Sequence, residues 1–140
     1  MKKVLVLGAG QLARMMELAG TPLNLDVKAL DVSSNKVVQP LAPEYVCGDL
    51  ATGIANADVI TAEFEHIPHD VLELCCQSGK FYPGKQAIKT GGDRAIEKAL
   101  LDEANVPCAP YKLITEKAHL IEAVSTLGKP LVIKTCQAGY

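Results

Sequence analysis

The chain opens on a short apolar strand that runs straight into a glycine turn and then a helix: Val4 to Leu7, Gly8-Ala9-Gly10, and Gln11 onward. No other stretch narrows the possible folds as much. Val4 to Leu7 is too short to stand as a helix, and the glycines supply backbone freedom where a strand must turn sharply. Leu12, Met15, Met16 and Ala19 recur at helical spacing and predict a helix over 11–20 with that set as its apolar face. The first N–H groups of such a helix lack partners inside it, and the aligned peptide dipoles make that end electropositive. An anionic ligand, a phosphate above all, fits there.

The rest of the chain alternates. Strands are expected at 3–8, 26–31, about 45–47 and 58–62, with an extended piece near 81–82. Helices are expected at 11–20 and 69–79, with a short helical turn near 39–43. Strands alternating with helices imply right-handed crossovers and an α/β fold: a parallel, doubly wound, Rossmann-like sheet covered on both faces, with ligands at the carboxyl ends of its strands. Pro83-Gly84 and Gly91-Gly92 interrupt the pattern, and Asp93 then N-caps a helix through Ala95, Ile96, Ala99, Leu100 and Ala104. A strand at 111–114, a helix at 116–127 closed by Gly128, and a strand at 131–135 leading to Gly139-Tyr140 follow. The reading gives a first domain over residues 1–88 and the beginning of a second over 89–140. About fifty residues rarely bury enough surface to stand alone, so the second is expected to be cut short.

Composition excludes several classes. With 49% apolar and 21% charged residues the chain can fill a core, and a net charge of -2 offers no basic footprint for nucleic acid. Met1-Lys2-Lys3 leads into a strand rather than a signal peptide, and no apolar run is long enough to span a bilayer, so a cytoplasmic protein is expected. Cys47, Cys75, Cys76, Cys108 and Cys136 form no metal or disulfide pattern and read as reduced thiols.

Two chemical readings of the opening turn compete. Gly8-x-Gly10-x-x-Ala13 satisfies the dinucleotide fingerprint, and Asp31 closes the second strand where an acid would meet a ribose, so NAD stays open. Gln11 at the mouth of the turn favours a small phosphorylated substrate. Thr61-Ala62-Glu63-Phe64-Glu65-His66-Ile67-Pro68 supplies a second signal, because Glu63 and Glu65 emerge at the carboxyl end of a buried strand, on the rim where the glycine turn opens. Alternation puts both carboxylates on one side if the extended form persists. A carboxylate there can accept from sugar hydroxyls or an amine while the helix end holds a phosphate, which suits a phosphoribosyl compound. His66 reads as a loop residue, with no second ligand at metal spacing.

Four motifs taken in order carry a resemblance: Gly8-Ala9-Gly10-Gln11-Leu12-Ala13-Arg14-Met15, then Thr61 to Pro68, then Asp93-Arg94-Ala95-Ile96-Glu97-Lys98, then Lys129-Pro130-Leu131-Val132-Ile133-Lys134-Thr135 before Gly139-Tyr140. The chain resembles, over its whole length, the 5-(carboxyamino)imidazole ribonucleotide synthase family of purine biosynthesis, and four ordered motifs displace the NAD reading. The resemblance implies a pre-ATP-grasp domain followed by the start of an ATP-grasp central domain. It also implies a ligase that uses ATP and bicarbonate to carboxylate 5-aminoimidazole ribonucleotide. By the same resemblance Gly10, Gln11, Leu12 and Glu63 fall on ribonucleotide-contacting positions and Arg94 and Lys134 on ATP-contacting ones, with no catalytic residue assigned. Mg2+ ligands are expected beyond residue 140, and the full-length family members are expected to be homodimers. The family usually continues from Gly-Tyr into Asp-Gly-Lys-Gly, has glycine at the place of Ala138 and often has glutamine at that of Gly92. A formate-dependent glycinamide ribonucleotide transformylase shares the architecture, and a non-catalytic nucleotide-binding module is the reading from another class. Gln11, Arg14-Met15 and the Glu-Phe-Glu-His-Ile-Pro string favour the synthase.

Overall fold

The computed structural model describes residues 1–138, so the Gly139-Tyr140 end of the last expected strand lies outside the described residues. The chain divides into two compact units, Met1–Ile88 and Lys89–Tyr140, with the division falling inside one helix.

The first unit is a five-stranded sheet in the order β4-β3-β2-β1-β5. Its strands are β1 (Lys2–Leu7), β2 (Leu25–Asp31), β3 (Lys36–Gln39), β4 (Ala42–Asp49) and β5 (Val59–Ala62). β1 pairs in parallel with β2, Val4 opposite Val27, and with β5, Val4 opposite Val59. β3 is antiparallel to both β2 and β4, so β4 runs the same way as β2 and β3 alone is reversed. The α/β class and the parallel heart of the sheet match the sequence reading. β3 and the full length of β4 do not, and the short helix expected near 39–43 is the end of β3, a turn and the start of β4. The segment continues an extended strand, in which the preceding Val37 and Val38 alternate between the two faces of the sheet.

Helices cover both faces. α1 (Gln11–Gly20) packs where Val6, Ala13, Val27, Ala29 and Val38 form one core. α2 (Leu50–Asn56) and α3 (His69–Gln77) lie over the other, which gathers Leu5, Leu7, Leu30, Leu50, Ile60, Leu72 and Cys75. α2 escapes a periodicity search because Thr52 and Gly53 interrupt its seven residues. Asp49 starts it, its Oδ1 accepting from Thr52 N at 2.8 Å. Gly53 is there for proximity: a Cβ at that position would lie 2.7 Å from Val37 Cγ2 and 3.2 Å from a Leu5 methyl. Phe81, in the expected extended piece, forms a parallel bridge with Ile60.

α1 buries a different face from the one expected. Ala13, Glu17 and Gly20 face the sheet, while Leu12, Met15 and Leu18 are 50%, 55% and 60% exposed. Small residues decide this, because they let the helix approach closely; a Cβ on Gly20 would already stand 3.1 Å from Val27 Cγ2. Gly91-Gly92 does not break the chain either, for α4 (Lys85–Gly92) runs through it.

In the second unit α5 (Arg94–Glu103) and α6 (Lys117–Leu127) form as expected. The strands expected at 111–114 and 131–135 do not: no strand is formed by the described residues there. A strand needs a ladder partner, and Val132 and Ile133 stand exposed instead. Ala123 is the one hydrophobic residue of this unit that is buried among the described residues. No helix of the described residues is long and apolar enough to cross a membrane.

Candidate functional site

β1 ends at Leu7 and β5 at Ala62, side by side on the carboxyl rim, because the two strands pair in register from Val4–Val59 to Leu7–Ala62. The residues that follow each strand must therefore meet. Gly8 turns with φ +111, a value that disfavours any side chain, and the space a Cβ would need is taken by Phe64 Cε1 at 2.4 Å and Glu63 Cγ at 2.5 Å. Glu63 N in turn donates to Leu7 O at 3.1 Å.

The Glu63 side chain then reaches the start of α1. Its Oε1 accepts from Gly10 N at 2.7 Å and its Oε2 from Ala13 N at 2.8 Å. Gly10 has no side chain with which to cap α1, and a residue more than fifty positions away supplies the acceptor. An anion is stable at that place for two reasons, the unpartnered N–H groups and the positive end of the helix dipole. The sequence reading expected that pairing of an anion with this turn, with a phosphate as the anion. Here the glutamate carboxylate takes the Gly10 and Ala13 donors, and Gln11 N and Leu12 N keep no protein partner among the described residues. The Gln11 and Leu12 side chains are exposed on the first turn. Gly10, Gln11, Leu12 and Glu63 are thus brought together.

Glu65 does not follow Glu63. β5 stops at Ala62 and the chain bends, so the extended alternation that would align the two carboxylates is lost. Glu65 Oε1 lies 3.7 Å from His66 Nε2. Asp31 does close β2, at the border of an open cleft of about 410 Å³ lined by Gly8, Gly10, Val38, Pro43, Glu63 and Phe64. Its carboxylate is engaged locally: Oδ1 accepts from Ser33 N at 3.0 Å and Ser33 Oγ at 2.6 Å, and Oδ2 from Ser34 Oγ at 2.6 Å. These bonds, the two hydroxyls above all, hold its pKa down to about 2.

In the second unit Asp93 caps α5, Oδ1 accepting from Ala95 N at 2.8 Å and from Ile96 N at 3.4 Å. Arg94 N donates to Cys136 O at 2.9 Å, and Gln137 Nε2 donates to Asp93 Oδ2 at 2.8 Å. The Asp93 pKa is lowered, chiefly by that Gln137 bond. The stretch at Cys136 and Gln137, just after Lys134 in the chain, is therefore tied to the start of α5, where Arg94 lies. No group of three or more histidine, cysteine, aspartate or glutamate side chains among the described residues could hold a metal ion. Burial pushes the Cys75 thiol up to about 11, in keeping with an apolar role in the core.

Sequence reasoning missed Glu17, which is 8% exposed and joins α1 to the β3–β4 turn. The available signal was its spacing: it stands four residues after Ala13 and three before Gly20, on the small-residue face that a close helix–sheet contact requires.

The chain is similar to known proteins in sequence and fold. A family model described as the ribonucleotide synthetase pre-ATP-grasp domain matches residues 1–91. An N5-carboxyaminoimidazole ribonucleotide synthase of Vibrio cholerae is 54% identical over 138 residues, 99% of this chain and 37% of the relative; one from Pseudomonas aeruginosa is 31% identical, over 99% and 40%. The chain spans less than half the length of the curated relatives it matches. Among solved structures, the Aspergillus clavatus N5-carboxyaminoimidazole synthase in complex with ADP and 5-aminoimidazole ribonucleotide superposes with a TM-score of 0.81 at 29% identity, covering 99% of this chain and 39% of that one. The Staphylococcus aureus synthetase complexed with ADP gives 0.83 at 29% identity, over 99% and 39%. The strand, glycine turn and remote carboxylate cap lie within the matched residues, and the chain belongs to the ribonucleotide synthetase pre-ATP-grasp domain family.

Proposed function

We propose that this chain is the amino-terminal portion of an N5-carboxyaminoimidazole ribonucleotide synthase, an ATP-grasp ligase that uses ATP and bicarbonate to carboxylate the amine of 5-aminoimidazole ribonucleotide. Residues 1–88 act as the pre-ATP-grasp domain and 89–140 as the beginning of the ATP-grasp domain. The observation that carries the reading is the Glu63 carboxylate fixed on Gly10 N and Ala13 N beside an open cleft, in a chain 54% identical to a named synthase.

In this reading Gly10, Gln11, Leu12 and Glu63 meet the ribonucleotide. Glu63 sets its orientation. A phosphate on the same two donors would face a carboxylate at hydrogen-bond range, and like charges repel, so the end turned toward Glu63 is the one that donates hydrogen bonds: ribose hydroxyls or the amine. Gln11 N, Leu12 N and the Gln11 side chain remain to complete the contact. Arg94 and Lys134 face the ATP phosphates, where two cations offset the charge that phosphoryl transfer redistributes. The Mg2+ that accompanies ATP is assigned in this proposal to residues outside this segment, and no step is derived through it. The complete enzyme is cytoplasmic and homodimeric in this proposal.

The test is a chimera in which this chain replaces the matching segment of the Vibrio cholerae relative. ADP release that requires both 5-aminoimidazole ribonucleotide and bicarbonate is the expected result. A folded chimera that hydrolyses ATP without regard to the ribonucleotide would overturn the proposal.

A further inference from the structure

Glu17 carries a carboxylate into a nearly dry place, 8% exposed, on the sheet-facing side of α1. A buried charge is costly unless paired and hydrogen-bonded, and this one is bonded on both oxygens. Gln39 Nε2 donates to Oε1, and Leu41 N donates to Oε2 at 2.7 Å. Gln39 is itself held from the other side, its Oε1 accepting from Lys28 Nζ at 2.7 Å, while Lys28 also donates to Asp26 Oδ1 at 2.5 Å. The chain of bonds runs from α1 through the end of β3 to β2.

What it fixes lies next to the cleft. Leu41 immediately precedes β4, and the register there is irregular: Gln39 pairs with Ala42, but the preceding residue, Val38, pairs with Val46. Pro43, Glu44 and Tyr45 are therefore looped out of the ladder in a bulge, a device that re-aims strand residues beside active sites. Pro43 lines the cleft together with Gly8, Gly10 and Glu63. Gly10, which lines the same cleft, is the N-cap residue that leads directly into α1. One carboxylate thus binds the helix that follows the glycine turn to the root of the bulge at the same cleft.

We infer that Glu17 is a positioning residue for the ribonucleotide, holding the Pro43–Tyr45 bulge at a fixed distance from the glycine turn so that the cleft keeps the width its ligand needs. The inference rests on the function proposed above. Glu17 touches no substrate; it acts through Leu41 N and Gln39.

The chimera supplies the experiment, and its wild-type turnover tests the function separately from this inference. Glu17→Gln places an amide N–H against a donor, either Gln39 Nε2 or Leu41 N, and breaks one bond. The exchanged pair Glu17→Gln with Gln39→Glu restores all of them: Leu41 N donates to the new amide oxygen on α1, that amide's N–H donates to the new carboxylate on β3, and Lys28 pairs with the same carboxylate. The single variant is expected to raise KM for 5-aminoimidazole ribonucleotide on the order of tenfold, the loss of about one hydrogen bond, with KM for ATP changed less than about twofold. The exchanged pair is expected to return the ribonucleotide KM to within about twofold of wild type. Equal rises in both KM values, or a ribonucleotide KM that stays raised in the folded exchanged pair, would overturn the inference. Should the single variant fail to fold, the exchanged pair alone still decides.

Discussion

Glu63 sets a full negative charge against the two N–H groups that open α1, and its two oxygens are both used. Its removal therefore has a cost separate from any ligand. In the 140-residue chain, Glu63→Ala should lower unfolding stability by about 0.5–2 kcal/mol, the range for loss of a helix cap, read from urea denaturation monitored by circular dichroism. Asp31 provides a pH-dependent counterpart. Its folded pKa of about 2 lies below the ordinary 3.8, so its bonds to Ser33 and Ser34 contribute stability that is complete above about pH 4 and is lost as pH falls through 2. Asp31→Asn should flatten the acid limb of the stability curve between those values; an unchanged acid limb would show that the two serine hydroxyls do not hold the charge in solution. The glycine turn and the acidic residue were both legible in the chain, because a strand followed by two glycines and a remote Glu after a second strand are local patterns. That the carboxylate caps the helix was not legible, since it depends on the register between β1 and β5.

Elements were legible where one period held along them. The β1–α1–β2 unit, β5, α3, α5 and α6 show such a period or a clear cap, as at Asp93. α2 and β3 do not, and each is set by the other: Val37 on β3 and Gly53 on α2 meet so closely that only the absence of a Cβ permits it. Gly53→Ala would gain about 1 kcal/mol in helix propensity, yet a Cβ 2.7 Å from a stiff valine methyl should outweigh that, giving a net loss of about 1–2 kcal/mol. In Gly53→Ala with Val37→Ala the two losses should fall short of additive, because the second change removes the atom that the first one meets. α1 shows how a residue pattern can select the wrong face. Its larger apolar side chains point outward while Ala13 and Gly20 make the contact, so Leu18→Lys should change stability by no more than about 0.5 kcal/mol, whereas Ala13→Leu should cost more than about 1 kcal/mol. Thermal melts of the two variants side by side check that ordering.

Across the whole molecule the two units offer different features. The first offers a helix start, a fixed carboxylate and a cleft, and the second ties the start of α5, where Arg94 lies, to the stretch at Cys136 and Gln137. The fold class followed from strand and helix alternation; the strands expected at 111–114 and 131–135 did not form, because the described residues supply no partner strand for either. Under the proposed function, the first unit serves the ribonucleotide and the second serves ATP. Steady-state kinetics of the chimera, with each substrate varied in turn, measure this for Glu63→Ala and Lys134→Ala together. The account predicts opposite biases: Glu63→Ala should lower kcat/KM for 5-aminoimidazole ribonucleotide roughly tenfold to a hundredfold, corresponding to about 1.5–3 kcal/mol, with a much smaller change for ATP, and Lys134→Ala should do the reverse. Equal losses toward both substrates in both variants would contradict it.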